Sequence, residues 1–177
     1  MKYTEEDAKK WNIQYFDENY YNDLAKEKKN NYIDDMFLIR GVTDYLNTFF
    51  NQGSDLEPSE VEDYIFDSTA YKTIIKHDDS LNVGDDLGID ALIMFDDENI
   101  LIKQGDEVAK VNNIVVFQSK NGGNDTVKSA FMAPIDGFKT IIERNDPRLD
   151  DNLTFRFIEK TLGVERNRKI KNANVYT

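Results

Sequence analysis

The chain has no cysteine and a single histidine, His77, among its 177 residues. Disulfide staples and thiolate-bound zinc are excluded, and a histidine-rich zinc site lacks its ligands. A reducing compartment fits this composition. No apolar run approaches the ~20 residues of a membrane-spanning helix. The N-terminal Met1-Lys2-Tyr3-Thr4-Glu5-Glu6 lacks the apolar stretch of a secretion signal. The expectation is a soluble, cytoplasmic chain with no membrane partner. Positive charge is also scarce: 22 Lys and Arg face 34 Asp and Glu, a net charge of −12. That deficit works against nucleic-acid binding, because phosphate contacts draw on Lys and Arg. The deficit is uneven. Between Asp55 and Glu107 only Lys72, Lys76 and Lys103 oppose many acids, whereas Arg166, Arg168, Lys169 and Lys171 cluster near the end. This pattern reads either as a solvated acidic face with a basic tail, or as acids gathered around a cation with a basic edge for a polyanion. A phosphate-binding P-loop is absent, since Gly84, Gly88, Gly122 and Gly123 are not followed by Gly-Lys-Ser/Thr.

What is present is a pair of short apolar runs, Gly88 to Phe95 and Ile114 to Lys120. Each reads as a β-strand, and each carries polar residues at one end that a core strand does not need for packing. Gln118 and Lys120 share a strand face with Val116 and Ile114. Antiparallel pairing centred on position 104, beside the turn signal Gly105-Asp106, brings Asp90 next to Gln118 and Lys120. A carboxylate, an amide oxygen and an ammonium at one point suit a divalent metal and a phosphate.

Around this pair the chain shows no repeat or long linker. Thr4 to Lys29 is polar with scattered aromatics and predicts one or two helices. Ile33, Met36, Phe37, Val42, Tyr45, Leu46, Phe49 and Phe50 recur at helical spacing and stop before Gly53. Ser59-Glu60-Val61-Glu62, behind Pro58, has the form of a capping box opening a short helix to about Phe66. A short strand is expected near Tyr71–Ile75, and another at Ile100–Lys103. Asp125 or Thr126 caps a helix that Pro134 should kink or divide. Pro147 opens a further helix that stops at Gly163, although Leu153 to Phe157 also alternates like a strand. Ala173 to Thr177 reads as a strand cut off at its start. The resulting fold class is α/β or an α+β sandwich, with residues 1–30 as a helical extension and 31–177 as one globular domain.

The order of helix, Asp-bearing strand, strand ending in Gln-x-Lys, helix and strand resembles the PD-(D/E)XK nuclease superfamily. More narrowly, Gly84-Asp85-Asp86-Leu87-Gly88-Ile89-Asp90 followed by Phe117-Gln118-Ser119-Lys120 is similar to the N-terminal domain of the abortive-infection phage-resistance (AIPR) family. The resemblance covers roughly Ile33 to Thr177. It implies a restriction-endonuclease-like core with a central mixed sheet, and a Mg²⁺- or Mn²⁺-dependent hydrolysis of phosphodiester bonds in DNA rather than RNA. Members of the family are usually longer, so the resemblance implies an N-terminal domain, either as a fragment of a longer protein or as a stand-alone form, and self-association into a homo-oligomer is compatible with it. By this resemblance Asp90 is the central metal ligand, and Gln118 and the Ser119 carbonyl add oxygens. Lys120 orients the attacking water or stabilises transition-state charge, with Asp90, Gln118 and Lys120 as the catalytic set. Asp86 stands at the first Asp of the family's run, either near the metal or shaping the turn. Asp35 is the candidate for a further acid on the first core helix, with Asp34 and Asp44 as competitors.

Gln where the family pattern allows Glu leaves the site one charge poorer. This keeps open a silent nuclease-fold domain acting in protein interaction or regulation, and, further off, an acidic DNA mimic. Plainer roles stand beside each residue. Asp90 can cap a turn, Gln118 and Lys120 can be a strand end reaching water, and Asp35 reads most simply as a solvated helix position. His77 reads as a surface residue, which leaves no Ser-His relay for Ser119. The aromatic stripes read as core.

Overall fold

The computed structural model describes residues 4–11, 16–50, 56–66, 87–118, 124–143, 149 and 152–177. The chain divides into two compact units, Met1–Leu81 and Asn82–Thr177. The strand expected near Tyr71–Ile75, His77 and Pro147 lie outside the described residues.

The described part of the first unit is helical. Helix α1 spans Glu5–Trp11, α2 Glu18–Asp23, α3 Lys26–Phe49 and α4 Pro58–Val61. Short side chains open the first two. The Thr4 hydroxyl donates to Asp7 Oδ2 (2.7 Å) while the Asp7 N–H donates to Thr4 Oγ1 (3.2 Å), and Asp17 Oδ1 accepts from the Tyr20 N–H. Lys9 bridges the two helices through Glu5 (2.8 Å) and Glu18 (2.9 Å). These two carboxylates raise the Lys9 pKa, and Lys9 in turn lowers that of Glu5.

The N-terminal aromatics form a core cluster, as their pattern predicts. Tyr32 is buried, and the rings of Phe16, Tyr20 and Tyr21 lie 5.5–5.8 Å from it. The Asp17 N–H donates to the Tyr32 hydroxyl at 2.9 Å. Helix α3 buries Tyr32, Ile33, Met36, Ile39, Val42 and Leu46 on one stripe, the three- and four-residue spacing of a helix with one face in a core. It begins seven residues before the periodic stretch, because its first two turns are polar and carry no hydrophobic signal. Helix α4 starts with Pro58 at its first position, and Glu60 Oε2 accepts from the Glu57 N–H (3.0 Å). The capping box therefore lies two residues earlier than Ser59 and Glu62 suggest: Pro58 already supplies helical φ, so the cap must precede it.

In the second unit, β1 spans Ala91–Phe95, β2 Asn113–Phe117 and β3 Asn174–Tyr176. They form a three-stranded mixed sheet in the order β1-β2-β3, with β1 and β2 antiparallel and β3 parallel to β2. With the helices, this places the chain in the α+β class. Pairing of Ala91 with Phe117 through Phe95 with Asn113 is centred on residue 104, the expected register. Both strands are shorter than their apolar runs. The stretch expected as a strand at Ile100–Lys103 contributes only an isolated bridge, Leu101 to Phe95. An asparagine chain closes this end of the sheet. Asn113 Nδ2 donates to Asn99 Oδ1 (2.7 Å), and Asn174 Nδ2 donates to Asn113 Oδ1 (3.1 Å).

Helix α5 spans Asn124–Glu143, α6 Leu153–Leu162 and α7 Arg166–Ile170. Helix α5 runs through Pro134 as one element and is not divided there. Helix α6 settles the ambiguity at Leu153 to Phe157. Asn152 Oδ1 accepts the Phe155 N–H (2.7 Å) and starts a helix that buries Phe155, Ile158 and Leu162 at helical spacing. No described helix is long and apolar enough to cross a membrane.

Two helical glycines should respond in opposite directions to alanine. Gly41, exposed on α3, has nothing within 4 Å of an added Cβ, so Gly41→Ala should stabilise by about 0.5–1 kcal/mol through helix propensity. Gly137 on α5 lies against the Leu87 carbonyl, and an added methyl would overlap it. Gly137→Ala should destabilise by about 1–3 kcal/mol. Urea unfolding of the two variants checks both signs.

Candidate functional site

The site is built where β1 begins and β2 ends. Leu87 and Gly88 both have positive φ (56° and 74°) and turn the chain into β1. A positive φ is unfavourable for leucine and persists only where surrounding structure holds it. Here α5 supplies that hold, since Gly137 lets the helix backbone close on the Leu87 carbonyl. After the turn, the Asp90 N–H donates to the Phe117 carbonyl at 2.9 Å, and Ala91 pairs with Phe117. The ladder ends at that pair, and the Asp90 N–H bond to Phe117 brings Asp90 beside the residue that precedes Gln118.

Both side chains sit in unusual surroundings. Asp90 is 4 % exposed, among neighbours that are almost all apolar: Ile89, Ala91, Leu92 and Ile93 are fully buried. Gln118 keeps some surface as a residue, but its Oε1 and Nε2 are both sealed from solvent and have no hydrogen-bond partner among the described residues. A buried amide without partners costs roughly 1–3 kcal/mol per unsatisfied group. The role of an ordinary strand end reaching water therefore does not fit Gln118. Its amide oxygen beside a carboxylate matches the preference of a hard divalent cation for oxygen ligands.

The other expected ligands divide. Lys120, Ser119 and Asp86 lie outside the described residues. Of the three acids considered on α3, Asp34 and Asp44 are exposed, and Asp44 is held by Arg40 at 2.9 Å. Asp35 is only 7 % exposed, on the apolar stripe of the helix, so it is not a solvated helix position. It belongs to the first compact unit, whereas Asp90 and Gln118 belong to the second. Among the described residues no group of three His, Cys, Asp or Glu is placed to hold a metal ion.

The basic cluster near the C-terminus is at the other end of the sheet, where the Val111 N–H donates to the Lys169 carbonyl. Its cations are largely engaged locally. Arg166 is buried, 3.6 Å from Glu159 and over the Phe155 ring; Arg168 pairs with Glu165 at 2.7 Å; Lys169 donates to the Leu162 carbonyl. Residue periodicity does not reveal the wall behind the site, made by Gly88, Ala133 and Gly137. The one available signal was a glycine inside a helical stretch, which commonly marks a close approach.

No family model, curated protein or solved structure matches this chain.

The unsatisfied amide makes a stability prediction independent of any ligand. Gln118→Met keeps the unbranched shape and removes both orphaned polar atoms, so it should raise the unfolding free energy by about 1–2 kcal/mol. Denaturant unfolding without added metal reads this directly, and a loss of stability would mean that the amide is satisfied in solution.

Proposed function

We propose that the chain is a nuclease-like domain of the restriction-endonuclease type, hydrolysing phosphodiester bonds in DNA with Mg²⁺ or Mn²⁺ and serving phage defence by abortive infection. The observation that carries this reading is a buried Asp90, whose N–H meets the Phe117 carbonyl, one residue from a Gln118 amide that is sealed from solvent and has no hydrogen-bond partner among the described residues. The mixed sheet, an antiparallel pair followed by helix and parallel strand, is compatible with such a core.

The donor set suits a small oxygen-loving cation. Asp90 would hold it through its carboxylate and Gln118 through Oε1, with the Ser119 carbonyl and Asp86 as further candidates. When bound, such an ion neutralises charge on phosphoryl oxygens and acidifies an attached water. Asp90 supplies the single negative charge of the described pair. Gln118 supplies an oxygen that neither titrates nor adds charge. Lys120 supplies the positive charge that faces the phosphate in the transition state.

A second reading has its own observation. The described residues hold no three-ligand acidic cluster, and Gln118 stands where a second carboxylate would strengthen cation binding. That composition fits a nuclease fold kept for protein interaction or regulation without turnover.

Plasmid nicking in Mg²⁺ and in Mn²⁺ separates the two. The nuclease reading expects metal-dependent nicking that falls about 100-fold or more in Asp90→Ala and Lys120→Ala, and calorimetry showing tighter Mn²⁺ binding in Gln118→Glu. Equal activity in the wild type and both alanine variants would remove these residues from catalysis. Absence of both nicking and Mn²⁺ binding in the wild type would leave the silent fold.

A further inference from the structure

Among the described residues Gln118 has no hydrogen bond to fix its carboxamide, so packing decides where that group lies. The packing comes from an absent side chain. A methyl group placed on Gly88 would stand 2.9 Å from Gln118 Nε2 and 2.8 Å from the Ala133 Cβ, with the Ala133 carbonyl carbon at 3.3 Å. Separations below 3.0 Å are not tolerated by real Cβ atoms. The carboxamide thus lies across the bare Cα of Gly88, and Ala133 of α5 closes the same space. Gly88 is also required by its backbone, at φ +74°.

We infer that Gly88 is a positioning residue for Gln118: the space left by its missing side chain is the seat that holds the carboxamide against the Leu87–Gly88 turn, two residues from Asp90, where its oxygen can serve a cation. This rests on the cation-binding reading above. The seat acts by shape. Terminal amides rotate broadly about their last torsion, and an amide without hydrogen bonds stays in place only where its neighbours leave one space for it. Ala133 links that space to α5, so the helix position and the amide position are coupled.

The test uses the whole chain with Gly88→Ala, Ala133→Gly, Gln118→Ala and the double variant Gly88→Ala/Gln118→Ala. Two signals are read: Mn²⁺ affinity, and the Gln118 side-chain amide resonances, assigned by their loss in Gln118→Ala. Gly88→Ala should move those resonances and weaken Mn²⁺ binding about ten- to a hundredfold, the size seen when support for a metal ligand is removed. The double variant should bind Mn²⁺ no more weakly than Gln118→Ala alone. Ala133→Gly enlarges the seat without imposing a positive-φ alanine, so it keeps the test available if Gly88→Ala fails to fold. It too should shift the resonances and weaken binding. Resonances unmoved by either change, or equal weakening by Gly88→Ala with and without Gln118, would overturn the inference. Resonances that move in a wild-type background that binds no Mn²⁺ would instead preserve the seat and reject the cation.

Discussion

The register of β1 against β2 is the constraint on which the second unit depends. Side chains alternate along a strand, so a slip of one residue would send Asp90 and Gln118 to opposite faces of the sheet. In many sheets the hydrophobic pattern alone prevents such a slip, because it would expose the apolar face. That protection is weak here, since every residue of β1 and the first four of β2 are buried. A shifted strand would still bury apolar groups. The register must be fixed by polar and close-packed features at the strand ends, and both ends have them. At one end Asn113 lies between Asn99 and Asn174, and a slip would leave its amide among apolar neighbours. At the other end the Leu87–Gly88 turn is held by the glycine of α5.

This arrangement places a strained turn, a buried carboxylate and an unsatisfied amide within four residues of β1 and one of β2. The positive φ of Leu87 and the unsatisfied amide are each unfavourable on their own. Their concentration at one sheet end, beside a core that is otherwise apolar, is the pattern expected of a binding site whose stability is lowered for function. The asparagine chain at the opposite end is the useful contrast. It is just as polar and partly buried, but its amides are paired to one another, so it stabilises the sheet and offers nothing to a ligand.

Much of this was legible in the sequence for identifiable reasons. The strand pair could be read because its apolar runs are symmetrical about Gly105-Asp106, and a hairpin has only one centre. Helix α3 could be read from Ile33, Met36, Val42 and Leu46, which repeat at helical spacing. The failures arise where local chemistry yields to its surroundings. Ser59 and Glu62 satisfy the capping pattern, but Pro58 moves the cap to Glu57. Pro134 does not divide α5, which continues through it as one helix. Leu153 to Phe157 alternates like a strand, but the Asn152 cap and the spacing of Phe155, Ile158 and Leu162 outweigh five residues of alternation. Asp35 looked solvated because aspartate usually is; nothing local marks it as buried. The Gly88 seat was hidden for the same reason, since it depends on Ala133, 45 positions away along the chain.

Charge is the remaining constraint on any nuclease reading. A chain of net charge −12 cannot hold a polyanion by its overall field. The basic cluster does not resolve this. It is tied to Glu159, Glu165 and the Leu162 carbonyl, and it meets the chain at Val111, beyond the end of β2 away from Gln118, about 23 Å along the strand direction. At physiological salt the Debye length is about 8 Å, so cations at that separation contribute little at Asp90 unless low-dielectric protein lies between. Neutralisation of a phosphate at the site must then be local, from a bound divalent ion and Lys120. A site of this kind gains its affinity for an anion only together with its cation. On the nuclease reading Gln118 would strengthen that dependence, because it would add an oxygen ligand without adding negative charge that would repel the phosphate. On this argument the glutamine is suited to a site where cation and phosphate are taken up together, and a glutamate would favour the cation alone.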